Sequence, residues 1–445
     1  MGIKATERVP VAFKGEGAGV GELSWGQQAL WNGMRDSGES LTMTAPRQLG
    51  PGATIEDFVA ELGFYLSQYQ AMRTLLRFEP DGHTLQVVHS SGIAEIEVYD
   101  AGDRDPAELA AEVETHYATT VFDYQREWPI RWALVRKDGV LTHAVTAISH
   151  HVADGASAMA MFEDLRDRDP VTGRPPRPPG IQPLAQAELQ QTASARRHND
   201  AAVRYWEEQL RLIPPTMFPA ARPEATGERF PGRFWETDYS SPALLLGLRA
   251  VATRLQVSTG AVLYAAFASA LSLTTGVNPV FSTVTVNNRF RPGLANAGGP
   301  MAQLGLCTLD VAGASFDELV LRARRRLLTA QKYAYYAPYE NDRLVDRVGR
   351  ERGVTFDLRC MFNDRRSEDG PIETVAGEAE IRAAIPATTV NWREVDRLHQ
   401  RLMIHVNEHP EALTALVQVD TAYLGRDDMD ALLRRMEATV IAAAA

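Results

Sequence analysis

The sequence has little cysteine, little lysine and no long hydrophobic run. Its 445 residues include two cysteines, Cys307 and Cys360, too few for a disulfide framework, and no Cys/His cluster has the spacing of zinc ligands. We therefore expect reduced core thiols and no bound metal. No stretch approaches the roughly eighteen apolar residues of a membrane span, and the N-terminus lacks the apolar core of a signal peptide. These absences predict a cytoplasmic protein without a membrane partner.

Positive charge is also scarce. The chain has 46 Lys and Arg against 57 Asp and Glu, which gives a formal net charge of −11. Recognition of nucleic acid needs a clustered positive surface, so the composition argues against nucleic acid as a partner. Hydrophobic residues make up 45% and charged residues 23%, which is typical of a folded globular chain. The length exceeds that of a single core, so we expect two or three lobes.

A proline-rich segment, DPVTGRPPRPPGIQP at 169–183, divides the chain near residue 180. Repeated prolines exclude a helix and remove the hydrogen-bond donors that a sheet needs. Both sides mix helical and strand-like patterns. For example, STGAVLYAAFASALSLTT predicts a helix that is capped by Ser258 or Thr259 and closed near Gly276. The predicted fold class is therefore α+β.

Two adjacent histidines follow a buried strand in AISHHVADGAS, residues 147–157. Alternation along Val140–His151 predicts that His150 and His151 point to opposite faces of the strand. A helix is expected to begin near Gly155, where the missing side chain would let the backbone pass close to its neighbours. A histidine at this point could accept a proton while the helix N-terminus stabilises an oxyanion. A histidine at a strand end is more often a packed or capping residue than a base, and both interpretations stay open on this motif alone.

Further motifs extend along most of the chain. LSWGQQALW, at 23–31, resembles the motif LSxAQxxLW, with Gly26 where alanine is usual, and QYQAMRT, at 68–74, is similar to RHExLRT and keeps Arg73. YWEEQL at 205–210, VTVNNR ending at Arg289 and YYAPYENDRLV around Pro338 follow in the same order. In these motifs the chain resembles the condensation domains of nonribosomal peptide synthetases, which belong to the chloramphenicol acetyltransferase-like superfamily of CoA-dependent acyltransferases.

The resemblance sets the register of the histidine motif. The family pattern HHxxxDG places three residues between its second histidine and the aspartate. Aligned on Asp154 and Gly155, His150 takes the catalytic second histidine, Ser149 replaces the first, and His151 becomes a variable spacer. The resemblance implies that a backbone N–H near Gly155 serves the oxyanion.

In the family, the aspartate of this motif points away from the substrate and holds its loop through an arginine. Arg289 is the first candidate for the partner of Asp154 and Arg73 the second. The family fold consists of two acetyltransferase-like lobes that form a V-shaped pseudo-dimer around a central tunnel. We place these lobes at 1–175 and 190–445, with a crossover segment, or latch, near 365–390.

The resemblance implies a condensation enzyme of secondary-metabolite biosynthesis. It would transfer an acyl or aminoacyl group from a phosphopantetheine thioester, presented by an acyl or peptidyl carrier protein, to a small amine or alcohol. No bound cofactor is implied, and the pseudo-dimer favours a monomer. Met1 and the complete closing helix favour a freestanding protein over an excised domain. Two alternatives stay open: an acyltransferase that uses CoA as donor, and a non-catalytic domain that only docks a partner.

Overall fold

A computed structural model describes residues 3–38, 40–177, 180–219, 232–366 and 375–444. The chain forms two compact units. The first unit consists of residues 1–199 and 287–303, and the second of 200–286 and 304–445. This division differs from the predicted lobes in two respects, because the first unit continues past the proline-rich segment and also includes 287–303.

The structure gives the first unit the following described elements. The strands are β1 (Glu7–Lys14), β2 (Gly19–Glu22), β3 (Met43–Gln48), β4 (Thr74–Phe78), β5 (Thr84–Val88), β6 (Ser91–Asp100), β7 (Ile130–Lys137) and β8 (Val140–Ile148). The helices are α1 (Trp25–Ser37), α2 (Ile55–Gln68), α3 (Pro106–Thr119), α4 (Gly155–Arg166) and α5 (Pro183–Gln190). A further helix, α6 (Ala193–Leu212), begins in the first unit and ends in the second.

A five-stranded sheet forms the centre of the first unit, in the order β1-β6-β7-β8-β3. β6 and β7 are parallel, and the other neighbours are antiparallel. Apolar side chains of α2 and α4 pack on one face of this sheet and those of α3 on the other. A smaller antiparallel sheet has the order β2-β5-β4.

The alternation predicted for β8 holds over its buried centre. Ala144 and Ile148 pack with α2 and α4, whereas Val145 and Ala147 pack with α3. The prediction is wrong at Leu141, which joins the same cluster as Ala144. The cause is an irregularity in the pairing with β7 between Val135 and Arg136, since an extra residue in one strand reverses the faces beyond it.

Side-chain hydrogen bonds hold the end of the proline-rich segment and the helix that follows it in the first unit. Gln182 accepts from the backbone N–H of Gln70 at 2.9 Å, and Gln190 accepts from that of Trp25 at 2.8 Å. Gln182 directly precedes α5 and Gln190 is its last residue, and α5 packs against β2. The proline-rich segment is therefore a connection within the first unit, and the boundary to the second unit falls inside α6.

The second unit is built on a seven-stranded sheet with the order β11-β10-β12-β14-β15-β9-β13. Its strands are β9 (Phe234–Ser241), β10 (Val280–Val286), β11 (Gln303–Leu309), β12 (Cys360–Asp364), β13 (Thr389–Val395), β14 (Leu402–Asn407) and β15 (Leu413–Asp420). Its helices are α7 (Pro242–Leu255), α8 (Thr259–Thr275), α9 (Phe316–Lys332), α10 (Pro338–Arg352), α11 (Glu378–Ala384) and α12 (Arg426–Ala444).

α8 is the central helix of the second unit's core and confirms the sequence prediction. Ser258 caps its N-terminus, and Gly276 ends it in the left-handed conformation that favours glycine. Its residues are apolar around most of the circumference, as expected of a helix that is buried on all sides. Cys307 and Cys360 lie in the same core as free, buried thiols.

The segment predicted as a crossover, 365–390, is described only in part, because residues 367–374 lie outside the described residues. In the described part, α11 packs against α7 and α12, and β13 pairs with β9 in an antiparallel register. These residues contribute layers to the second unit itself, and the crossover to the first lobe stays a prediction.

Among the described residues, no single helix is both long and apolar enough to cross a membrane. The consecutive helices α7 and α8 reach that length and composition only together, and they are bent by 111° at their junction.

Candidate active site

The candidate site lies where β8 passes into α4. β8 ends at Ile148, two residues before His150, so neither histidine belongs to the strand as the sequence predicted. The N–H of Val152 donates to the carbonyl of Ser149 at 3.2 Å, and Val152 and Ala153 are fully buried. This tight turn fixes the backbone from which both histidine side chains project.

His150 is half-buried, and its ring orientation is set by the backbone. Its Nδ1 lies 2.7 Å from the carbonyl oxygen of Ala153. Because a carbonyl oxygen can only accept, Nδ1 carries the proton, and Nε2 of the neutral ring is the acceptor. The arrangement presents Nε2 of His150 as a base.

His151 has the opposite environment. It is 2% exposed, and its Nδ1 lies 2.8 Å from the hydroxyl oxygen of Ser149. Its ring meets that of Tyr124 edge to face, with centroids 5.2 Å apart, and Tyr124 shares a 2.9 Å hydrogen bond with Ser40. Burial, and to a smaller extent the charge of His150, lowers the pKa of His151 to about 3. His151 is therefore a neutral packing residue behind the turn at physiological pH.

Asp154 binds two parts of the first unit together. One carboxylate oxygen, Oδ1, accepts from the N–H of Ser157 at 2.8 Å and caps α4. The other, Oδ2, accepts from the backbone N–H of Met301 at 2.7 Å, from that of Ala302 at 2.9 Å and from Nη1 of Arg289 at 3.1 Å. Burial alone would raise the pKa of this carboxyl, but the charge of Arg289 and these hydrogen bonds lower it below its usual value. Asp154 stays ionised, and both of its oxygens are engaged.

Of the two predicted partners of Asp154, the structure pairs it with Arg289. The guanidinium of Arg289 also donates to the carbonyls of Ala297 at 3.3 Å and Gly299 at 3.0 Å, which orders the segment 287–303. Arg73 lies elsewhere and donates to the carbonyl oxygens of three residues. These are Glu16, Gly17 and His89. Burial lowers the pKa of Arg73, which here holds the chain that leads into β2.

Gly155 is the first residue of α4 and is exposed. The expectation that it allows a close backbone approach is wrong, because a Cβ added there would meet no atom within 4 Å. The absence of a side chain instead leaves open space beside the helix N-terminus. The N–H groups of the first turn of a helix carry partial positive charge, so this space suits an oxyanion.

Gly26 explains one departure from the family motif. A Cβ at this position in α1 would lie 2.0 Å from the carbonyl oxygen of Pro300. This carbonyl directly precedes Met301, whose N–H binds Asp154. An alanine, usual in the family, therefore does not fit here without moving the residues that hold Asp154.

Several of these contacts, among them three described below, were missed by sequence reasoning. Ser157 forms a capping box with Asp154, and the spacing D-x-x-S could have shown it. Tyr124 has no neighbouring motif. The N–H of Met301 is a backbone group and has no sequence signal.

We predict that Gly26→Ala destabilises the protein by about 1–3 kcal/mol, as overpacking of a rigid backbone contact does. Gly33→Ala is the matched control, because it lies in the same helix and its added Cβ meets nothing within 4 Å. This control should be neutral or stabilising by up to about 1 kcal/mol, given the helix propensity of alanine. Urea unfolding checks both variants, and equal effects would contradict the predicted contact.

The neutral state of His151 predicts a pH dependence. A histidine with a pKa of about 3 in the folded protein and about 6.5 when unfolded contributes stability that is complete above pH 6.5 and is lost as the pH falls towards 3. Between pH 7 and pH 5, wild type should lose about 2 kcal/mol more than His151→Phe, since Phe keeps the ring contact with Tyr124 and cannot titrate. Unfolding by urea at the two pH values measures this. Parallel losses in the two proteins would show that His151 is accessible to protons when folded.

Comparisons with known proteins agree with this architecture. The family model for the condensation domain matches residues 23–421. The chain is 24% identical over 443 residues to the probable non-canonical nonribosomal peptide synthetase CymA of Salinispora arenicola. The alignment covers 93% of this chain and 5% of CymA. It is also 24% identical over 349 residues to the enniatin synthetase of Fusarium oxysporum. This alignment covers 72% of this chain and 10% of that synthetase. The chain thus spans a small part of the length of these relatives.

Solved structures share the fold. SgcC5 from Streptomyces globisporus superimposes with a TM-score of 0.67 at 17% identity, over 95% of this chain and 98% of SgcC5. The X-domain from teicoplanin biosynthesis superimposes with a TM-score of 0.71 at 16% identity, over 95% of this chain and 94% of that domain. The mixed α+β architecture is that of condensation domains, a chloramphenicol acetyltransferase-like fold. The chain belongs to the condensation domain family.

Proposed function

We propose that this protein is a condensation enzyme that forms an amide or ester by acyl transfer. The donor is an acyl or aminoacyl group held as a thioester on the phosphopantetheine of a carrier protein, and the acceptor is a small amine or alcohol. The observation that carries the proposal is the fixed ring of His150, whose protonated Nδ1 leaves Nε2 as a base two residues beyond β8. Membership of the condensation domain family supports the choice of acyl transfer.

The proposed reaction uses this geometry. The acceptor nitrogen or oxygen attacks the thioester carbonyl carbon, and Nε2 of His150 takes the proton that this atom loses. N–H groups at the start of α4, beside Gly155, stabilise the negative charge on the carbonyl oxygen. The carbon–sulfur bond then breaks, and the proton passes from His150 to the departing thiolate. The products are the amide or ester and the free thiol of the carrier, and no cofactor is consumed.

Asp154 has a positioning role in this proposal. Its two oxygens are occupied by Ser157, Arg289 and the backbone of Met301 and Ala302, so it has no free oxygen to act as a base. It holds the N-terminus of α4 and, through Ala153, the turn that orients His150. Action as a monomer and a cytoplasmic location remain predictions.

A second candidate is a non-catalytic docking domain. The likeness to the X-domain from teicoplanin biosynthesis favours it, because that domain has been solved as a complex with OxyB. The oriented base of His150 and the open space at Gly155 favour catalysis instead, since docking requires neither.

The proposal is tested by discharge of acyl groups from carrier-bound thioesters, followed by intact-protein mass. Small amines and alcohols serve as acceptors, and matched acyl-CoA donors run in parallel. His150→Ala should lower the rate by at least about 100-fold, as loss of a general base does. His151→Phe should lower it by less than about tenfold, because His151 is buried behind the turn.

Three results would contradict parts of the proposal. If His151→Phe is inactive while His150→Ala remains active, the catalytic base is His151 and the alignment of the motif is wrong by one residue. Faster turnover with acyl-CoA would place the protein among CoA-dependent acyltransferases. No discharge with any donor, combined with retained carrier binding, would favour the docking role.

A further inference from the structure

A partly open apolar cavity of about 230 Å³ lies in the first unit, between the five-stranded sheet and helices α2 and α4. It is separate from the turn that carries the histidines, and the acyl-transfer step does not require it. Six of the residues that line it come from four elements. They are Tyr65 of α2, Trp132 of β7, Ala144 and Ile148 of β8, and Ala158 and Met161 of α4.

Two residues of the cavity lining are close in sequence to the candidate active site. Ile148 is the last residue of β8 and precedes His150 by two residues. Ala158 follows Gly155 by three residues, which is about one turn of α4. Two lining residues are therefore close along the chain to the proposed base and to the helix N-terminus proposed to bind the oxyanion.

Another part of the cavity wall is charged. Arg47 and Glu61 form an ion pair of 2.9 Å, with side chains that are 43% and 16% exposed. The guanidinium of Arg47 also lies over the ring of Phe58, 5.3 Å from its centroid. Since these two charges neutralise each other, the cavity offers no net charge to a ligand and suits an uncharged, apolar group.

Two aromatic side chains of the lining carry polar atoms without partners. The hydroxyl of Tyr65 and Nε1 of Trp132 are buried and have no hydrogen-bond partner among the residues that the structure describes. Burial raises the pKa of Tyr65, so its hydroxyl remains a donor. A saturated chain offers these two donors no acceptor, so the apolar remainder of the lining is what favours such a ligand.

We propose that this cavity binds the acyl chain of the thioester donor, and that it selects chains of about eight carbons. A group the size of water occupies about 30 Å³, so 230 Å³ holds about eight methylene-sized groups. A chain bonded to the carbonyl carbon starts between His150 and the N-terminus of α4, near in sequence to Ile148 and Ala158 of the cavity lining. This assignment rests on the proposed acyl-transfer function and names its donor class.

The test compares acetyl, butanoyl, octanoyl and dodecanoyl groups on the same carrier protein with one acceptor. For wild type, kcat/KM should rise by up to about fourfold per methylene until the cavity is full, as burial of each methylene predicts, and should stop rising beyond about eight carbons. Ala158→Phe fills the cavity and should lower the octanoyl-to-acetyl ratio at least tenfold. Met159→Phe is the matched control, since the adjacent side chain is 62% exposed and outside the lining, and the ratio should stay within twofold.

A binding measurement without turnover completes the test. Octanoyl-pantetheine, followed by calorimetry, should bind wild type and Met159→Phe more tightly than acetyl-pantetheine, and Ala158→Phe should remove the difference. If Ala158→Phe does not fold, Ala144→Val replaces it. Valine adds less volume than phenylalanine, so Ala144→Val should lower the octanoyl-to-acetyl ratio by less than the tenfold decrease expected for Ala158→Phe.

The outcomes separate the two proposals. Turnover that is equal for all chain lengths and unchanged in ratio by Ala158→Phe would overturn the cavity assignment and leave acyl transfer standing. If Ala158→Phe changes the selectivity for acceptors and leaves the selectivity for donors unchanged, the assignment of the cavity to the donor is also overturned. Binding of octanoyl-pantetheine without any turnover would support the cavity and overturn the catalytic function.

Discussion

The buried carboxylate of Asp154 is the interaction on which the candidate site depends. It caps α4 through Ser157 and accepts hydrogen bonds from Arg289, Met301 and Ala302, the first of which lies 135 residues later in the chain. Removing one partner of a buried ion pair costs about 3–5 kcal/mol, because the remaining charge is left without compensation. The helix N-terminus and the segment 287–303 are therefore held in place by the same anion.

The turn held by Asp154 also gives the two neighbouring histidines, His150 and His151, different environments. Ala153, directly before Asp154, supplies the carbonyl that fixes the ring of His150 and leaves Nε2 as acceptor. His151 faces the interior, where Ser149 and Tyr124 surround it and burial keeps it neutral. Two adjacent residues of one type thus differ in chemistry because the turn between β8 and α4 gives them opposite environments. The site needs one of them as a base and the other as packing.

Local patterns in the sequence predicted what depends on local chain geometry. The bounds of α8 follow from its cap at Ser258 and from Gly276, and the buried faces of β8 follow from alternation. The pairing of Asp154 with Arg289 came from a family resemblance and is present in the structure. Periodicity did not reveal the pairing irregularity that turns Leu141, because it depends on the register with β7. Backbone donors such as the N–H of Met301 leave no trace in residue identity, and neither does the place of 287–303 in the first unit.

The most direct test of the central claim is amide hydrogen exchange in wild type and Asp154→Asn. Asparagine also caps helices well, so the start of α4 can persist while the second carboxylate oxygen is lost. The account predicts that exchange at the amides of Met301 and Ala302 accelerates at least about tenfold. This factor corresponds to the loss of about 1.5 kcal/mol, the lower end of what a hydrogen bond to a charged group contributes. Unchanged exchange at these two amides, or acceleration confined to Ser157, would show that Asp154 only caps its own helix and would contradict the account.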